Sequence, residues 1–225
     1  MDTRQRILEV TAELLQRSGV EPPSTRAICE AAGVSAPTLY HHFGDKDGLY
    51  DAVVQYGFES YLRAKHALVR TDDPVDDLRR AWDTHVQFGV THPALYTLMY
   101  GTPRAGVSSP AAAEADAVLV DLLERVARAG RLRVPLERAI AMIAAACVGS
   151  ALQAIRAGYD PAVGDQLRDS VLAAVVTERA PRKKTASVSS AANQLSALLR
   201  EREGENGALS GEELALLNLW LARLG

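Results

Sequence analysis

The chain has 225 residues, 48% of them hydrophobic and only 5% aromatic, and a formal net charge of −3. That length is enough to bury a full core and to hold one or two domains. The slightly acidic balance excludes a generally basic nucleic-acid coat protein, while leaving room for a reader that carries a few well-placed cations.

The wealth of Ala, Leu, Val and Arg favours helix over sheet, and no period-2 alternation argues for a strand. A first helix is predicted over residues 3–17, with Ile7, Thr11, Leu14 and Leu15 on one face and Gly19 at its end. Two short helices follow within residues 24–46. Ser24 or Thr25 can cap the first and Ser35 the second, because a side-chain oxygen there accepts from an orphan backbone N–H. Between them Ala31, Ala32, Gly33 and Val34 allow close approach, and the glycine tolerates the left-handed backbone that ends a helix. Ile28, Ala32, Val34, Leu39 and Phe43 form one apolar set. This is the layout of a helix-turn-helix, whose second helix enters the DNA major groove.

Further on, a helix over residues 45–69 carries Leu49, Val53, Tyr56 and Leu62. Asp72-Asp73-Pro74 opens the next, with Leu78, Trp82, Val86 and Phe88 on its apolar side. His92-Pro93 breaks it before a short apolar segment at 94–100, and 101–110 reads as a loop. Helices are expected at 111–129, 136–157 and 162–178. A basic break at 181–184 then precedes Val188, Ala192, Leu195 and Leu199 at helical spacing. After a linker at 204–207, Ser210 and Glu213 form a capping box for a last helix. Leu214, Leu217, Leu221 and Leu224 stripe that helix, with Trp220 beside them. Both stripes need cover, so the tail is expected to pack back on the body or on a second subunit, a docking site for a separate partner being the alternative.

The run Gly33-Val34-Ser35, then Thr38-Leu39-Tyr40, His42-Phe43, Lys46 and Leu49, resembles the DNA-binding segment of TetR-type (TetR/AcrR) transcriptional regulators over roughly residues 3–55. Beyond that the similarity lies in length and helical content. The resemblance implies an all-α fold. Residues 1–48 would be the three-helix DNA-binding domain and 49–180 a larger ligand-binding and dimerisation domain. The tail, 181–225, would be an additional helical extension, since such chains usually end near the preceding long helix.

Carried onto this sequence, the family pattern has Thr25 and Arg26 opening the second helix toward DNA. Ser35, Ala36, Pro37 and Thr38 begin the recognition helix, and Tyr40, His42 and Lys46 hold phosphates. His41 is exposed in the same helix and can touch backbone or base. Ala36 and Pro37 have no hydrogen-bonding side chain, so base choice leans on Arg26, Thr38, His41 and methyl contacts with thymine. Residues 1–48 hold five cations and seven anions, so the footprint on DNA is local and a modest salt dependence is expected. The short N-terminus leaves little arm for the minor groove.

Elsewhere the chemistry is sparse. Cys29 and Cys147 sit far apart in apolar patterns and read as small buried residues of a reducing compartment. His41 and His42 point to different helix faces, while His66, His85 and His92 stand without ligand-spaced partners, so no metal is expected. No nucleophile motif or phosphate-cradling loop occurs, which argues against an enzyme and against a cofactor. Charges in the first helix interrupt any secretory signal, and the apolar run at 139–155 reads as a buried helix of a cytoplasmic protein, with no membrane partner.

Trp82, Phe88, Tyr96, Met99 and Tyr100, with His85 or His92 as polar anchors, are equally a core and a pocket by spacing alone. The resemblance implies that a small-molecule effector, largely apolar, binds there. Small residues at 144–146 and 149–151 permit close helix approach. The resemblance implies that the helices at 136–157 and 162–178 pair across a two-fold axis, burial within one chain being the alternative. The expected function is a homodimeric, ligand-responsive regulator, a repressor released from an inverted-repeat operator by its effector. The alternative is a helical small-molecule-binding protein with weak or lost DNA binding.

Overall fold

The structure, a computed structural model, describes residues 2–18, 23–101, 110–178, 187–201 and 209–224. Among them the chain is all-helical: α1 Thr3–Ser18, α2 Thr25–Ala32, α3 Ala36–Phe43, α4 Lys46–His66, α5 Pro74–Thr91, α6 Pro93–Tyr96, α7 Pro110–Arg128, α8 Leu136–Ala157, α9 Pro161–Val175, α10 Val188–Glu201 and α11 Gly211–Leu224. A π turn over Thr97–Gly101 continues α6. The expected helix end at Gly19, the basic break at 181–184 and the linker at 204–207 lie outside the described residues.

The chain divides into two compact units. The first comprises Met1–Ala67, Thr84–Ala115 and Ser150–Tyr159. Its core joins Ile7, Leu8 and Leu15 of α1 to Ile28 and Ala32 of α2, Leu39 of α3 and Leu49 and Val53 of α4. The same cluster continues through Tyr61, Phe88, Leu95 and Tyr96. The helix-turn-helix therefore has no core separate from α4 and α6. Eight-residue helices such as α2 and α3 are too short to hold alone and borrow their stability from this packing.

The second unit comprises Leu68–Asp83, Asp116–Gly149 and Asp160–Gly225. Its buried side chains include Leu78, Trp82, Leu123, Val126, Ile143, Leu172 and Leu221. Here α9 ends earlier than its pattern suggests, at Val175 rather than 178. Leu132 and Val176 form an antiparallel bridge. Arg131 donates from Nε to the Thr177 carbonyl and from Nη2 to that of Glu178, and Arg133 Nε donates to Val176. Those carbonyls would otherwise be helix-terminal orphans, so the two arginines make an extended exit cheaper than another helical turn.

The tail packs back within this unit, but of the apolar stripe on α10 only Ala192 is buried and Leu199 half-buried. Ser190 Oγ donates to the Gly130 carbonyl, Asn193 to Val134 and Gln194 to Arg128. Ala192 and Ala197 are buried between these contacts, while Val188 and Leu195 are exposed. The connection between α7 and α8 presents carbonyls that need donors, and small side chains let α10 come close enough to supply them. On α11, Leu221 is buried, whereas Trp220 and Leu224 are more than half exposed.

Helix α8 is the one described helix long and apolar enough to cross a membrane. The expectation that it is simply a buried helix is met only on one stripe. Ala139, Ile143, Cys147 and Ala151 are buried at every fourth position, yet just 22% of its most apolar window is.

Candidate nucleic-acid interface and aromatic cluster

Local hydrogen bonds set the frame of the first site. Ser24 caps α2, its hydroxyl accepting from the Ala27 amide at 3.2 Å. Gly33 ends α2 at φ 63°, a conformation that costs a side-chain-bearing residue roughly 1 kcal/mol or more. The Val34 amide then donates to the Cys29 carbonyl, closing a Schellman motif. Ser35 caps α3 by accepting from the Thr38 amide at 3.3 Å, with Pro37 preset in the first turn. Gly44, at φ 79°, turns the chain into α4, which Asp45 caps through the Gly48 amide at 2.7 Å.

These constraints leave one face of α3 open. Leu39 is fully buried and Phe43 half-buried in the core, while Ser35, Ala36, Pro37, Tyr40 and His41 are exposed. Residues 36, 37, 40 and 41 share a helix face by their spacing. His42 is half-buried beside Phe43. Thr38 is also half-buried, with its hydroxyl 2.8 Å from Ser35 Oγ, so it stands partly committed to the cap. Thr25 is half-buried at the start of α2.

Two exposed cations stand on the neighbouring helices, Arg26 on α2 and Lys46 on α4. Arg26 is exposed and pairs with Glu30 at 2.8 Å. Such a surface pair between neighbouring turns is worth about 0.3–0.5 kcal/mol, too little to keep the guanidinium from a phosphate or a guanine edge. Lys46 is exposed at the start of α4, its Nζ 5.7 Å from the centre of the Tyr50 ring. Tyr50 in turn donates its hydroxyl to the Pro23 carbonyl at 3.1 Å, holding the entry to α2 against α4. The arrangement offers an exposed helix face with an exposed cation on each of the adjoining helices, which suits a groove and its phosphates.

The second group lies within the same unit. His85 sits between two tyrosines, with Nδ1 2.8 Å from Tyr61 Oη and Nε2 2.6 Å from Tyr96 Oη. Burial pushes its imidazole pKa down to about 3, and the positive charge of Lys65 adds to the shift. The ring is therefore neutral at physiological pH, one phenol donating to it and the other accepting from it. Phe88 stacks on His92 at 4.7 Å, and Tyr100 lies 4.6 Å from Tyr96 and 5.4 Å from Phe58. A Cβ on Gly57 would meet the Met99 sulfur at 2.8 Å, so α4 runs tight against this cluster.

Six of the seven expected ligand residues thus come together: His85, Phe88, His92, Tyr96, Met99 and Tyr100. Trp82 is buried and falls in the second compact unit. Tyr61, absent from the sequence reading, is the partner that completes the histidine's hydrogen bonding. No signal near it in the chain marks it, because His85 lies 24 residues away. Among the described residues no group of His, Cys, Asp and Glu could hold a metal ion.

Two family models match the chain. Residues 7–53 match "Bacterial regulatory proteins, tetR family", and residues 78–178 match "Tetracyclin repressor-like, C-terminal domain". The chain belongs to the TetR family. The first match covers α1 to α3 and the start of α4, so the capped α2–α3 pair is the family's helix-turn-helix. Among curated TetR-like relatives, the HTH-type transcriptional regulator UidR of Escherichia coli K12 is 34% identical over 76 residues, 34% of this chain and 36% of that protein. The HTH-type transcriptional regulatory protein RaaS of Mycobacterium tuberculosis is 42% identical over 69 residues, 31% of this chain and 32% of that one. The chain spans about a third to a half of the length of the curated relatives it matches. A solved TetR family transcription regulator from Marinobacter aquaeolei VT8 superposes with a TM-score of 0.60 at 22% identity, over 78% of this chain and 96% of that one. That likeness extends the shared fold well past the helix-turn-helix.

Proposed function

We propose that this protein is a homodimeric, ligand-responsive transcriptional repressor. Residues 1–48 read an inverted-repeat operator, 49–180 bind the effector and dimerise, and 181–225 brace the second compact unit. The carrying observation is the open face of α3, where buried Leu39 and half-buried Phe43 orient Ala36, Pro37, Tyr40 and His41 outward, with Arg26 exposed on α2 and Lys46 on α4. Tyr40, His42 and Lys46 hold phosphates. Arg26, Thr38 and His41, with methyl contacts from Ala36 and Pro37, choose bases.

Dimerisation is supported by α8. Its open positions Ala141, Ala145 and Gly149 recur every fourth residue, and on α9 Val163 and Leu167 are exposed. An apolar helix so little covered within one chain suits a symmetric interface in a cytoplasmic dimer. The effector is a largely apolar small molecule acting on the cluster around His85, which presents aromatic surface and neutral hydrogen-bonding groups. It releases the operator by favouring a dimer whose two α3 helices no longer stand about 34–36 Å apart.

Footprinting on DNA upstream of the protein's own gene tests this. Expected is a protected inverted repeat with half-sites one helical turn, or a multiple of it, apart. Protection of a single asymmetric half-site would refute the dimeric reading. No protection at all would favour the rival, a helical small-molecule binder with weak or lost DNA binding, which the excess of anions in residues 1–48 favours.

A further inference from the structure

We infer that Arg4 is a DNA-backbone contact, held in position by the ring of Phe43. The inference rests on the DNA-binding function proposed above and adds a residue that the motif does not contain. Arg4 lies in the first turn of α1, and its guanidinium carbon stands 5.3 Å from the centre of the Phe43 ring. Phe43 is the last residue of α3 and is packed against the core. Its ring is thus a fixed platform at the end of the recognition helix.

A census of charge points the same way. The described cations of residues 1–48 are Arg4, Arg6, Arg17, Arg26 and Lys46. Arg26, beside the Glu30 carboxylate, is assigned to base choice above. Arg17 closes the far end of α1, roughly 20 Å along the helix from Arg4. Arg6 is half-buried, with its Nε out of solvent. Arg4 and Lys46 remain, exposed and without an ion pair among the described residues. Each rests on an aromatic ring, and they bracket the turn from Phe43 to Lys46. The Asp2 carboxylate accepts from the backbone amide of Arg4 at 3.4 Å.

Packing alone gives little reason for this placement. A cation in the first turn opposes the helix dipole at a cost of about 0.3–1 kcal/mol. An exposed cation–π contact returns about 0.5–1 kcal/mol, so the two nearly cancel. A guanidinium over a ring face spends no N–H donor on a hydrogen-bond acceptor there, and a phosphate is the partner those donors fit.

The test is binding to a labelled random-sequence duplex of about 30 base pairs across a salt series, since phosphate contacts carry no base information. Arg4→Gln removes one contact per subunit, so in the dimer it should weaken binding about 25- to 100-fold near 0.1 M salt and flatten the slope of log K against log [salt] by about 1.8. Arg4→Lys should keep most of that slope. Phe43→Leu should weaken binding with Arg4 present and have less effect in the Arg4→Gln background; equal effects in both would overturn the platform role. An unchanged slope in Arg4→Gln, whatever happens to melting, overturns the inference, because a merely structural residue lowers stability without changing the ion count. If Lys46→Ala flattens the slope while Arg4→Gln does not, the regulator stands and Arg4 is excluded. If the wild-type chain binds no duplex, both readings fall.

Discussion

His85 and Tyr96 share a 2.6 Å hydrogen bond in a pocket of aromatic rings, and a 2.8 Å bond from the other side of the imidazole reaches Tyr61. The chain of three groups joins α4, α5 and α6, so the helix that follows the α2–α3 pair is fastened to the aromatic cluster through one neutral histidine. Removing a phenol leaves a buried ring nitrogen without its partner, which costs about 1–3 kcal/mol. Tyr96→Phe and Tyr61→Phe should each lower unfolding free energy by that order in urea titrations. A Tyr96→Phe protein as stable as wild type would show that the bond contributes nothing net.

The same histidine sets a pH dependence. An unfolded chain protonates it below its ordinary pKa of 6.5, whereas the folded chain resists until about 3. Between those values the unfolded state holds more protons, so stability falls as pH is lowered from 6.5 toward 3 and is complete above 6.5. At roughly 1.4 kcal/mol per unit, the loss by pH 4.5 is about 2–3 kcal/mol. His85→Gln should be less stable at neutral pH yet show a shallower decline in acid. An identical acid slope in both proteins would assign the loss to other groups.

In the second unit, Asp77 is 5% exposed and accepts from Arg125, from the Thr71 amide at 2.8 Å and from the Thr71 hydroxyl at 2.9 Å. Burial works to raise its carboxyl pKa, but these donors outweigh it and hold the group below the usual carboxylate range. Its contribution is present above the ordinary carboxylate pKa and is lost as pH falls through the depressed value. Asp77→Ala strands a guanidinium in a largely buried site and should cost about 3 kcal/mol. Thermal melting of the variant checks this, and a shift within error would mean that water replaces the carboxylate.

Ser35→Ala removes the α3 cap. A cost of about 1 kcal/mol is expected, together with weaker operator binding, because the first turn of α3 carries the proposed base contacts. Operator titration at a temperature well below melting separates the two effects. Unchanged affinity there would mean that Pro37 alone presets the turn.

A Cβ at Gly149 meets nothing within 4 Å in one chain. Gly149→Leu should therefore leave the folded protomer intact and, if α8 packs closely against a second copy, weaken the dimer by tenfold or more, about 1.4 kcal/mol. Sedimentation equilibrium decides it. Unaltered dimerisation would move the interface off this face of α8.

Deleting residues 181–225 should lower the melting temperature while leaving operator preference alone. It strips donors from the carbonyls of Gly130, Val134 and Arg128 and the Arg200–Glu137 pair at 3.0 Å. Asn193→Ala is the finer probe. It should cost about 1–2 kcal/mol by leaving the Val134 carbonyl without its donor. Identical melting of the truncated and full chains would refute the bracing role and make the exposed Leu216, Leu219 and Trp220 of α11 the part that matters.

The amino-acid sequence by itself determined the helices, their caps and the helix-turn-helix. Ser24, Ser35 and the Ser210–Glu213 box all act within three residues, Gly33 ends α2 where its left-handed backbone is needed, and Ile28 and Leu39 are buried as their spacing requires. Such signals are local, so they survive without knowledge of the rest of the chain. The tertiary structure alone decided where α9 stops, which face of α10 turns inward, and that Tyr61 completes the bonds of His85. Those outcomes rest on partners 46, 59 and 24 residues apart, at Arg131–Thr177, Asn193–Val134 and Tyr61–His85. At α10, periodicity favoured Val188 and Leu195, but the unpaired carbonyls of the α7–α8 connection drew in Ser190 and Asn193 instead. An unsatisfied buried carbonyl costs about as much as an exposed leucine, and only the packed chain reveals which carbonyls need a donor.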